Sequence, residues 1–68
     1  MIDTNALKAV IVSNGMTQQE VAEKIGITPK TFYSKMKKGV FGSNEMEAMI
    51  NLLSIKNPSA IFFANERT

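Results

Sequence analysis

The stretch TQQEVAEKIGITPKTFYSKMKKG, residues 17–39, encodes two short helices joined by a turn too tight to be an ordinary loop. Thr17 is a helix start. Its hydroxyl can accept from the amide of Glu20 while the Glu20 carboxylate reaches back to the Thr17 amide, a capping box, and Met16 and Val21 flank the cap as a hydrophobic staple. Val21, Ala22 and Ile25 then fall on one helical face and Gln19, Glu23 and Lys24 elsewhere, the spacing of a helix lying on a core. Gly26 stops the helix in the left-handed conformation that glycine tolerates. Only Ile27 separates it from Thr28-Pro29, a capping hydroxyl followed by a proline whose missing N–H costs nothing in a first turn. A helix ending and another beginning within about three residues forces a steep angle between their axes, and Ala22 is small where they approach. This is a helix-turn-helix arrangement over about 17–38, whose second helix can be presented to a major groove.

In the second helix Phe32 and Met36 are four apart and face inward, with Ile27 stapled against Phe32. Lys30, Ser34 and Lys37 occupy the opposite face, and Thr31, Tyr33 and Lys38 lie on its margins. Cations suited to phosphates and hydroxyl or ammonium donors suited to base edges therefore share one surface.

Gln18, Glu20, Ala22, Gly26-Ile27-Thr28, Thr31 and Phe32 together resemble the Cro/CI-type helix-turn-helix regulators of temperate phages and their bacterial relatives. The resemblance spans nearly the whole chain, which as a whole is similar to the very small phage Cro-like proteins that often end in a short apolar run much like Ile61-Phe62-Phe63. It implies an all-α, five-short-helix, lambda-repressor-like DNA-binding domain. In that family a branched aliphatic commonly stands three residues after the position of Phe32. Here that position is Lys35 and the apolar residue is Met36, so the inward face is shifted by one. Pro29 sits where relatives often carry a long polar side chain that contacts a base, which moves sequence readout toward Thr28, Lys30 and Ser34.

Sixty-eight residues make one domain, residues 1–68. A chain this short buries only about 60% of its unfolded surface, so dimerisation or ligand binding has a marginal core to reinforce. With no cysteine and no histidine the sequence offers neither a disulfide framework nor a usual zinc site. The same absence removes the commonest nucleophile and general base, so the expectation is a protein that is not an enzyme, without cofactor, metal or small-molecule substrate. No apolar run approaches the ~20 residues of a membrane span and no signal-like n- and h-regions open the chain, so a cytoplasmic location is expected.

A net charge of +2 says little, but its distribution says more. Between Lys24 and Phe41 there are five lysines and no acid, while Asp3, Glu20, Glu23, Glu45, Glu47 and Glu66 all lie outside. One basic face on an otherwise balanced molecule is the footprint of a surface that binds a phosphate backbone.

The flanking segments read as support. Residues 2–13 form a first helix, capped by Asp3 or Thr4, with Leu7, Val10 and Ile11 at helical spacing, and Asn14-Gly15 ends it. Gly39 terminates the second motif helix, and Val40 or Phe41 folds back on its last turn; Phe41 is a core anchor or, alternatively, a partner contact. Ser43 reads as the cap of a fourth helix with Glu45 in its first turn and a stripe of Met46, Met49, Ile50 and Leu53. Asn57-Pro58 opens a short fifth helix to about Phe63. Phe62 and Phe63 are adjacent, so either one is exposed as a dimer contact or both wrap over the core. Residues 64–68 are expected to fray.

The resemblance implies a Cro-like repressor that binds an operator duplex as a homodimer. Thr28, Lys30 and Ser34 then face bases, Lys35, Lys37 and Lys38 meet phosphates, Gln18 donates to the backbone, and Tyr33 does either. In relatives the start of the fourth helix lies beside the backbone, which assigns Ser43 and Asn44 to a phosphate. The competing reading is an antirepressor that holds a partner phage repressor through Phe41, Phe62 and Phe63 or through the motif helix.

Overall fold

The computed structural model describes residues 2–63, and within them the chain is all-α, with no strand. Its helices are α1 (Thr4–Ser13), α2 (Gln18–Lys24), α3 (Pro29–Lys38), α4 (Ser43–Leu53) and α5 (Pro58–Phe62). The expected fraying of residues 64–68 lies outside the described residues.

One stop signal ends four of the helices. The amides of Met16, Ile27, Val40 and Ile55 donate to the carbonyls of Ile11, Ala22, Lys35 and Ile50, five residues back, at 3.0–3.2 Å. The residue before each donor is left-handed: Gly15, Gly26, Gly39 and, without a glycine, Ser54. These are Schellman-type closures, in which an apolar residue after the left-handed one folds back on the helix it ends. Met16, Ile27 and Ile55 do so, each half-buried against the core. Val40 does not, and stays 63% exposed.

The starts are equally local. Thr17 and Glu20 form the expected capping box, with the Thr17 amide donating to Glu20 Oε1 at 2.8 Å and the Glu20 amide to Thr17 Oγ1 at 3.1 Å. Thr28 caps α3 with Pro29 in its first turn.

Two boundaries and one cap differ from the sequence reading. α1 begins at Thr4 with Asp3 as its cap, and Ile2 lies outside the helix and is buried, because its amide donates to the Gly39 carbonyl and that of Asp3 to the Ile61 carbonyl. Ser43 is already helical, so Gly42 holds the cap position and the Glu45 carboxylate accepts its amide at 2.8 Å. Asn57 precedes α5 without capping it, since its side-chain oxygen accepts from the Ser59 hydroxyl instead.

Every helix contributes to the core. Leu7 and Ile11, Val21 and Ala22, Phe32 and Met36, Met49 and Leu53, and Ile61 and Phe62 are buried, joined by Ile2 and Phe41. Phe32 is fully buried and lies 5.3 Å from the Phe41 ring. Asn14 ties the ends of α1 and α4 through a bond from its amide nitrogen to the Leu53 carbonyl. Burying one face of α3 in this way leaves its other face turned to solvent.

Candidate nucleic-acid interface

Phe32 and Met36 hold α3 against the core, so helical periodicity dictates what remains outside. Lys30, Thr31, Tyr33, Ser34, Lys37 and Lys38 are exposed, and Pro29 and Lys35 are half-buried. The expected outward face is therefore present as one surface of three lysines, two hydroxyls and an aromatic ring. Tyr33 is 49% exposed and packs edge-on to Phe32, with ring centroids 6.5 Å apart, so the core braces its ring while about half of the residue stays in solvent.

The two threonines at the start of α3 act together. Thr28 Oγ1 accepts from the Thr31 amide and shares a bond of 2.9 Å with Thr31 Oγ1. The Thr28 hydroxyl is thus committed to its own helix, which makes Thr31 the freer hydroxyl of the pair. Gln18 stands half-buried in the first turn of α2, while Ser43 and Asn44 are exposed in the first turn of α4.

Lys35 has a different setting from the other α3 lysines. It lies on the margin between the buried and outward faces, and its ammonium pairs with Glu45 Oε2 on α4. The other oxygen of that carboxylate accepts from the Gly42 amide, so one side chain closes the start of α4 and bridges to α3. Partial burial raises the Glu45 pKa, but the hydrogen bonds from Lys35 and Gly42 and the Lys35 charge outweigh it and hold the group below its ordinary 4.5. Sequence reading missed this pair. The sequence showed an acid in the first turn of α4 and a lysine at the margin of α3, but nothing in it said that the two meet.

The expected partner contacts divide. Phe41 and Phe62 are buried, at 6% and 2% exposure, and Phe63 is 43% exposed. With Ile2, Val40 and Met46 these three phenylalanines line an open apolar groove of about 180 Å³ between the chain start, the α3–α4 loop and the end of α5.

Among the described residues no helix is long and apolar enough to cross a membrane, and no cluster of three or more His, Cys, Asp or Glu is placed to hold a metal ion.

The model of a helix-turn-helix family described as bacterial regulatory protein, Fis family, matches residues 1–39, the span that carries α1, α2 and α3. The family matched is thus not the Cro/CI type that the motif resembles. No curated protein and no solved structure matches the chain.

Proposed function

The chain belongs to the Fis family of bacterial regulatory proteins, a helix-turn-helix group, and from that premise we propose that it is a sequence-specific transcription regulator that docks α3 in the major groove of an operator. The observation that carries the reading is the division of α3 into one buried apolar face and one exposed face of lysines and hydroxyls. Lys30 and Ser34, with the Thr28–Thr31 pair at the helix start, meet base edges, Lys37 and Lys38 meet phosphates, and Tyr33 sits between the two sets. Gln18 in the first turn of α2 and Ser43 and Asn44 in the first turn of α4 contact the phosphate backbone.

The finer reading is a Cro-like phage repressor, residues 1–68 acting as one domain in the cytoplasm. Two copies place their α3 helices about 34 Å apart on a pseudo-palindromic operator and block polymerase or a competing repressor. The exposed Phe63 and Val40 at the rim of the apolar groove support a homodimer contact. The same rim favours one other reading, an antirepressor that holds a partner repressor. Light scattering of the pure protein, with and without its own promoter region, distinguishes a dimer from a monomer. A gel shift by the protein alone, set against capture of a phage repressor by the same protein, separates repressor from antirepressor.

Selection of duplexes from a random pool, followed by anisotropy titrations at rising salt, tests DNA binding itself. A selected duplex is expected to bind more tightly than a random one, with log K falling linearly against log salt by about 0.9 per phosphate neutralised. Equal affinity for both duplexes, or binding indifferent to salt, rules the reading out.

A further inference from the structure

Four lysines lie on α3, and they are not electrically equivalent. Among the described residues Lys30, Lys37 and Lys38 are exposed without an ion pair, whereas Lys35 is paired with Glu45 across the α3–α4 boundary. The Lys35 side chain is 34% exposed and that of Glu45 16%, so the pair is partly shielded from solvent and from screening ions. Glu45 is itself immobilised, because its second oxygen receives the Gly42 amide at the start of α4.

We propose that Glu45 is a positioning residue for DNA recognition, which withholds Lys35 from phosphates and fixes the last turns of α3 against the start of α4. The inference deepens the DNA-binding reading and rests on it. A free lysine at the margin of α3 adds attraction to any phosphate, whatever the sequence, and so raises non-specific affinity relative to specific affinity. A lysine locked to a carboxylate adds little to that attraction and keeps α3 in one register. Specific binding then depends on the outward residues, and the pair acts as a filter against random duplex.

The experiment compares E45Q, K35M/E45Q, E47Q and K37M with the wild type on a random 20-base-pair duplex and on a selected one, by anisotropy over a salt series. Glutamine at position 45 keeps an acceptor for the Gly42 amide, and circular dichroism establishes that each variant is folded at the assay temperature. E45Q is expected to steepen the salt slope on random duplex by about 0.9, to bind it several-fold more tightly, and to lower the ratio of selected to random affinity. K35M/E45Q, in which a neutral pair replaces a neutral pair, is expected to return to the wild-type slope. K37M is expected to lose about 0.9 from the slope, the signature of a lysine that does meet a phosphate. Glu47 is exposed on the same helix, so E47Q makes the same change in net charge without freeing a lysine, and little effect is expected.

An E45Q slope equal to that of the wild type or of E47Q overturns the proposal. So does a K35M/E45Q slope reduced as far as that of K37M, since Lys35 then reaches phosphate despite its partner. A wild type that binds neither duplex overturns the DNA-binding reading and this one with it, and the wild-type arm alone identifies that outcome. Carbon NMR of the Glu45 carboxyl in the wild-type complex is an independent check: an unmoved resonance on adding duplex supports the pair, and a shift toward that of an unpaired carboxylate overturns it.

Discussion

At the scale of single residues, Glu45 carries more than its place in the sequence suggests. Its carboxylate is held ionised by Lys35 and the Gly42 amide, so its folded pKa lies below the unfolded value. The native state consequently binds fewer protons than the unfolded one near and below pH 4.5. The resulting stabilisation is complete above that pH and is lost as pH falls through the folded pKa. Denaturant unfolding of wild type and E45Q is expected to differ at pH 7 by on the order of 1 kcal/mol, the upper end for a partly exposed pair, with E45Q the weaker. As pH falls through the folded pKa the two curves should converge, and a gap that persists in the acid limit assigns the effect of E45Q to packing. The cap of α2 was legible in sequence because it needs only Thr17 and Glu20 at a fixed spacing. The Lys35–Glu45 pair was not, because it depends on how α4 is set against α3, which no local spacing specifies.

At the scale of elements, the helix stops decide the fold, and they differ in how well the sequence suits them. Gly26 has a φ of +88° between α2 and α3, and a Cβ built there meets nothing within 4 Å. Substitution at this position therefore costs backbone strain alone. Gly26→Ala is expected to lose about 1–2 kcal/mol, and Gly26→Asn less, because asparagine visits the left-handed region more readily. Ser54 bears the same strain natively at φ 52°. Ser54→Gly is expected to gain about 0.5–1 kcal/mol, since relief of strain exceeds the added freedom of the unfolded chain. Thermal unfolding reads both, at about 4–8 °C per kcal/mol for a domain of this size. If Gly26→Ala left the midpoint unmoved, the tight turn would owe nothing to glycine. The glycine stops were legible because glycine announces them, whereas the serine stop was hidden in Ser54-Ile55. The start of α1 was misplaced by two residues for a related reason. Ile2 fits a helical pattern, but its amide and that of Asp3 are taken by Gly39 and Ile61, which are distant in sequence.

At the scale of the whole molecule, the span that identifies the family supplies only part of the core. Residues 1–39 contain all of α1, α2 and α3, and they supply Leu7, Ile11, Val21, Ala22, Phe32 and Met36 to the core, with Ile2. The other side of that core is Phe41, Met49, Leu53, Ile61 and Phe62, all later in the chain. Without them Phe32, which is fully buried against Phe41, loses a wall of its pocket. The Gly39 carbonyl keeps the Ile2 amide, but the Asp3 amide loses its acceptor on Ile61. Helices of seven to ten residues are too short to persist in water without packing, because nucleation is costly and isolated helices below about 12–15 residues are marginal. A peptide of residues 1–39 is therefore expected to show weak helicity by circular dichroism, no cooperative thermal transition and no preference for a selected duplex, whereas the whole chain melts in one step. A cooperative transition in the peptide would place the stabilising contacts within the motif and reduce α4 and α5 to accessories. The expected failure assigns them a functional part, since only a core closed from both sides holds α3 with Phe32 and Met36 inward and its lysines outward.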